Sequence, residues 1–135
     1  MKITLKCVLG ALYLATFMAV AWAGEQVTAV PEGDGVQRLT MIVDSYFYKP
    51  DHIVVRVGLP VELALISQTI LTPHNFVVKE PNAGIDINKE IGAGETVKVR
   101  FTPSKAGVFT FFCDKKLLFF KSHRDKGMEG ILRVQ

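Results

Sequence analysis

The chain predicts an all-β fold of about seven or eight short strands, and three observations predict it. Apolar and polar residues alternate over short runs, clusters of Gly, Pro, Asn or Asp separate the runs, and no apolar period of 3.6 is sustained. A sandwich or barrel is how strands with one apolar face bury it.

The elements follow in chain order. Residues 1–23 carry Lys2 and Lys6, an apolar run from Cys7 to Val20, and Ala21-Trp22-Ala23 ahead of Gly24. A positive start, a short apolar middle and small residues at the cut make a secretory signal peptide, with cleavage expected after Ala23. An uncleaved N-terminal anchor is the alternative, although the run is short for a bilayer. Residues 24–36, rich in Gly, Glu and Asp, read as a flexible lead-in. The domain then occupies 37–135.

Within it, strands are expected at Arg38 to Val43, His52 to Val57, Val61 to Ile66 and Phe76 to Val78, then at Thr96 to Phe101, Val108 to Cys113 and Ile131 to Gln135. Gly58-Leu59-Pro60, Pro81-Asn82-Ala83-Gly84 and Pro103 to Gly107 break the chain between them. Residues 85–95 and 114–127 have no clear period and read as loop or short helix. No internal repeat or low-complexity segment is present.

Without residues 1–23 the chain has 14 basic and 13 acidic side chains, a net charge of +1. That balance gives no electrostatic case for nucleic acid or for an anionic membrane. Cys7 belongs to the leader, which leaves Cys113 as a lone thiol in a compartment that favours disulfides. It is a bond to another chain, a small buried hydrophobe, or a metal ligand. No Ser-His-Asp arrangement, phosphate-binding glycine loop or paired carboxylates can be placed, and no catalytic residue is assigned.

The neighbours of Cys113 decide among these. Between two expected strands the chain reads Phe111-Phe112-Cys113-Asp114, continues to Ser122-His123-Arg124, and ends Gly127-Met128-Glu129-Gly130. Upstream, His74 stands in Thr72-Pro73-His74-Asn75-Phe76. Two imidazoles, a thiolate and a thioether make the donor set of blue-copper sites, soft enough for Cu(I) and nitrogenous enough for Cu(II). A three-ligand zinc site without Met128 is the alternative, since a thioether is a poor zinc ligand.

Phe47-x-x-Pro50-x-x-Ile53-x-Val55-x-x-Gly58, followed by His74-Asn75-Phe76, resembles the first-histidine half of the cupredoxins, the plastocyanin- and azurin-like blue-copper proteins. Gly107-x-Phe109-x-Phe111-x-Cys113, then His123-x-x-x-x-Met128-x-Gly130, is similar to their second half. The resemblance implies a Greek-key β-sandwich with one copper (Cu+/Cu2+) per chain, held by His74, Cys113, His123 and Met128. It also implies that Asn75 ties the two ligand loops together outside the ligand shell. It further implies a one-electron carrier working with a redox partner protein, exported, and periplasmic in a Gram-negative bacterium. His52 matches no ligand position and reads as a surface or edge residue. Arg124, Asp125 and Lys126 read as a solvated face.

One departure stands out. Cys113 and His123 lie ten positions apart, where typical members have two to four residues between them. The extra Leu117-Leu118-Phe119-Phe120 is expected to pack on the sandwich; if displayed, it is a docking surface. The long loop leaves two other functions open: a copper carrier or storage protein, or a copper centre with an open position for a small molecule.

Overall fold

The computed structural model describes residues 24–135. The expected signal peptide lies outside the described residues. Ten strands form two facing sheets, and no α-helix occurs among the described residues. They are β1 (Gln26–Thr28), β2 (Gln37–Asp44), β3 (Phe47–Lys49), β4 (His52–Val55), β5 (Val61–Ser67), β6 (His74–Glu80), β7 (Ile85–Ile91), β8 (Thr96–Phe101), β9 (Gly107–Phe112) and β10 (Glu129–Val134). The six-stranded sheet runs β1-β4-β10-β9-β6-β7, and the four-stranded sheet runs β3-β2-β5-β8.

Seven of these match the expected strands; β1, β3 and β7 are additional. β1 arises in the lead-in expected to be flexible: it pairs in parallel with β4, Gln26 opposite His52, and the following Ala29 is buried. Three-residue strands such as β1 and β3 are too short to show a period. β7 buries Ile85, Ile87 and Ile91, while Asp86, Asn88, Lys89 and Glu90 face solvent. Two consecutive charges break its alternation, and charges suit an edge strand, where they oppose pairing with another chain.

Both sheets contribute to one core. Met41, Leu63 and Leu65 come from the smaller sheet, Ile53, Phe76, Phe111 and Leu132 from the larger. Each such side chain contributes about 1.5–3 kcal/mol on burial. Tyr48, Phe76 and Phe111 pack with ring centroids 5.1–5.9 Å apart. The Tyr48 hydroxyl donates to the Asn75 carbonyl at 2.5 Å, so this aromatic group reaches the start of β6, where His74 sits. Gly130 is required at its position: a Cβ there would lie 2.3 Å from the Asp51 carbonyl oxygen and from the Phe111 ring.

On the outer face of the smaller sheet, Glu62 sits opposite Arg38 on β2 and Arg100 on β8. Arg100 and Lys98 donate to it at 2.7 and 2.9 Å. These donors, Lys98 first, hold its carboxyl below the ordinary value.

Candidate metal centre

The expected ligands come from two places in the fold. His74 opens β6, and the other three flank the β9–β10 connection. β9 and β10 pair up to Phe112 opposite Glu129. Cys113 and Met128 are the next residues outward, and the Cys113 amide donates to the Met128 carbonyl at 3.1 Å. The hairpin therefore fixes Cys113 and Met128 whatever the length of chain between them.

His123 is anchored at both sides. Its amide donates to the Lys115 carbonyl at 2.7 Å, and its carbonyl accepts from the Met128 amide at 3.0 Å. A 3-10 turn at Arg124–Lys126 carries the chain onward and ends at Gly127, whose φ of 94° favours glycine. Residues 116–122 thus form an excursion closed at its neck by the Lys115–His123 hydrogen bond. This is how a ten-position spacing brings His123 back to Cys113.

The donor atoms of His74, Cys113 and His123 converge within 4.8 Å of one another. The two Nδ1 atoms are 3.1 Å apart, and the Cys113 Sγ lies 3.9 Å from Nδ1 of His74 and 3.4 Å from that of His123. A trigonal metal with bonds of about 2.0 Å to nitrogen and 2.3 Å to sulfur would separate the nitrogens by about 3.5 Å and each from sulfur by about 3.7 Å. The residues fit such an ion. Met128 is fully buried in the same core cluster as Cys113 and is tied through its backbone to both Cys113 and His123.

Electrostatics favour the forms a metal needs at nitrogen. Burial, and then the neighbouring His123, hold His74 down at about 4, and burial lowers His123 as well. Burial pushes the Cys113 thiol up, partly offset by the Asn75 amide directed at its sulfur at 3.4 Å. Both imidazoles are thus neutral and the thiol protonated at pH 7 in the metal-free chain.

Asn75, next to His74, is hydrogen-bonded to the residue that follows Cys113. Its Nδ2 donates to the Asp114 Oδ1 at 2.8 Å and to the Asn88 Oδ1 at 3.0 Å, and its Oδ1 accepts from the Asp114 amide at 3.1 Å. Asp114 was not singled out from sequence. Only its place after Cys113 could have suggested a partner for Asn75.

Two expectations are corrected. Leu117, Leu118, Phe119 and Phe120 do not pack on the sandwich: they are exposed, Phe119 at 87%. The excursion turns back on itself, with the Phe120 amide donating to the Leu117 carbonyl at 2.9 Å and Leu118 left-handed at φ 49°, which directs the side chains outward. His52 is not an edge residue; it is half-buried on β4, because β1 covers the outer side of that strand. Its Nε2 has no partner among the described residues, and it takes no part in the cluster around Cys113.

Sequence reading also missed what surrounds His123. Tyr46 meets its ring edge-on, centroids 5.0 Å apart, and the Lys126 ammonium lies 4.1 Å over the Tyr46 ring. His123 itself is 8% exposed and lines a cavity of about 370 Å³ with Tyr46, Leu71, Pro73, Leu117 and Phe120.

A two-sheet β-sandwich with a buried His, Cys and His cluster at one end defines a cupredoxin, and these features point to copper binding. The family model described as the cupredoxin-like domain matches residues 11–127, and the chain belongs to that family. No curated protein matches it by sequence. Among solved structures, the metal-binding domain of the Streptococcus pneumoniae D39 Cu(I)-exporting P-type ATPase is 26% identical, with a TM-score of 0.62, covering 84% of this chain and 98% of that one. Reduced auracyanin from Roseiflexus castenholzii is 19% identical, with a TM-score of 0.57, covering 73% of this chain and 96% of that one. The copper-containing nitrite reductase of Thermus scotoductus is 19% identical, with a TM-score of 0.53, covering 82% of this chain but 28% of that one. The last two likenesses are of fold.

Proposed function

We propose that the chain is an exported one-electron carrier whose His74, Cys113, His123 and Met128 hold one copper ion. The observation that carries this reading is the convergence of the His74, Cys113 and His123 donor atoms at a buried point. Copper bound there would supply one-electron exchange between Cu(I) and Cu(II), for which a Cys, two His and a weak Met form a compatible donor set.

The chain's own residues do the rest. The β9–β10 hairpin and the Asn75–Asp114 hydrogen bonds hold the donors in place, so little need move when the charge changes. The aromatic group of Tyr48, Phe76 and Phe111 excludes water from below. His123, slightly exposed beside the cavity, is the ligand through which a redox partner protein is reached, and Leu117 to Phe120 form a docking surface beside it.

The purified chain should take up one copper, keep it against a strong chelator and cycle reversibly between the two oxidation states, and Cys113→Ser should abolish this. Rapid loss to the chelator would favour the second reading, a carrier that passes the ion itself. Likeness to the metal-binding domain of a Cu(I) exporter supports that second reading.

Export rests on residues 1–23, with the mature chain beginning at Gly24. The mass of the secreted product tests it: a chain retaining those residues would contradict cleavage.

A further inference from the structure

A second group of polar side chains, outside the ligand set, lies where β1 joins the larger sheet. Gly24 and Asp51 line one cavity there with His52, Thr110 and Glu129, and no Lys or Arg lines it. Glu129 is taken by Arg124. The Asp51 Oδ1 is out of contact with solvent and has no hydrogen-bond partner among the described residues, and the same holds for the His52 Nε2. A carboxylate oxygen shut away from water without a donor costs free energy until a donor reaches it.

Gly24 is placed to supply that donor. A Cβ on Gly24 would collide with both carboxylate oxygens of Asp51, so the carboxylate stands directly over its Cα. The Gly24 nitrogen is bonded to that Cα and lies a short rotation from an oxygen. The segment is held in register beside it: Gln26 and Val27 pair with His52 and Ile53, and the Lys49 ammonium lies 3.5 Å from the Glu25 carboxylate. The sequence independently puts the expected leader cut between Ala23 and Gly24. A cut and an orphaned carboxylate thus fall on one residue.

We propose that removal of the leader completes the fold by creating the donor that Asp51 lacks. Water adds across the Ala23–Gly24 peptide bond during export, Ala23 leaves as a carboxylate, and Gly24 keeps an α-ammonium. That ammonium binds the Asp51 carboxylate and closes β1 against β4. The uncut chain offers one neutral N–H at this point, whereas the ammonium offers three donors and a unit charge, and charge-assisted hydrogen bonds are the stronger kind. The pair also accounts for glycine at position 24, since a side chain there would push the carboxylate away from the nitrogen. Its effect extends toward the metal centre: the Asp51 carbonyl accepts from the Ile131 amide at 2.8 Å, three residues after Met128. The inference rests on the export reading given above and adds what the cut does to the folded chain.

Residues 24–135 contain both sheets entire, and a fusion partner removed by a protease that cuts before Gly24 yields the free amine in vitro. Urea unfolding then compares four metal-free chains: this one, the same chain with residues 21–23 retained, Asp51→Asn, and both changes together. The pH lies between the ordinary carboxylate and amine values, about 4 and 8. Retaining residues 21–23 and Asp51→Asn should each raise the unfolding constant about five-fold, and together they should raise it no further. The Ile131 amide should exchange with solvent faster in all three altered chains. Equal stability with and without residues 21–23 would overturn the proposal. So would additive losses, which would assign the two groups to separate contacts. The mass of the exported product keeps the two readings apart. A cut elsewhere would overturn the export reading and the proposal with it, whereas a cut at Gly24 with no effect of residues 21–23 would overturn the pair alone.

Discussion

Asn75 and Asp114 exchange two hydrogen bonds across the gap between β6 and the end of β9, side chain to side chain at 2.8 Å and backbone amide to side chain at 3.1 Å. Each residue directly follows a proposed ligand, His74 or Cys113. The exchange therefore fixes the distance between two donors that lie 39 positions apart in the chain.

Asn75→Ala removes both part-buried bonds and the Asn75–Asn88 side-chain bond with them, and leaves the Asp114 and Asn88 partners unpaired. The expected cost is about 1–3 kcal/mol, read from urea unfolding of the metal-free chain. Copper should also leave the variant faster under chelator. A variant with wild-type stability and release rate would show that the exchange has no such role.

The protonation states set a proton count. The unfolded imidazole takes a proton near its ordinary 6.5 and the folded His74 only near 4, while the thiol is held above its usual range. Binding copper at pH 7 should displace about one proton, from Cys113, with none from the histidines. Calorimetry in buffers of different ionisation enthalpy reads that number. For the metal-free chain the sign follows from the depressed His74 value. The unfolded state binds more protons between pH 6.5 and 4, so stability contributed by neutral His74 is present above 6.5 and declines toward 4.

Gly130→Ala should destabilise the fold by about 1–3 kcal/mol, because the added methyl meets the Phe111 ring, whose backbone pairs with Gly130, and the Asp51 carbonyl, which the Ile131 amide holds in place. Thermal unfolding checks this. A neutral result would mean that β10 shifts freely against β4.

Replacing Leu117, Leu118, Phe119 and Phe120 together by Ser should leave the copper site intact, since the Lys115–His123 neck and the Met128 backbone bonds lie outside the excursion. An altered copper spectrum would show that these side chains support the ligands.

Much of this was legible in the sequence. Seven strands followed from short apolar runs between turn residues, three of them alternating, and the lone thiol with His74 and His123 in order pointed to the donor atoms that the fold brings together. What escaped had physical causes. β7 hides its period behind Lys89 and Glu90, and β1 and β3 are held by backbone pairing over three residues, which side-chain pattern does not encode. The excursion looked like core because hydrophobicity is local, whereas its neck is a backbone hydrogen bond eight residues across.

In the proposed copper form the site is closed, with Cys113, two imidazoles and a weak thioether around the metal. The visible and EPR spectra of the copper-loaded chain test it most directly. An intense thiolate charge-transfer band with narrow copper hyperfine splitting is the predicted result. A tetragonal signature with wide splitting and no strong thiolate band would contradict it, and would assign the long loop to a centre with an open position.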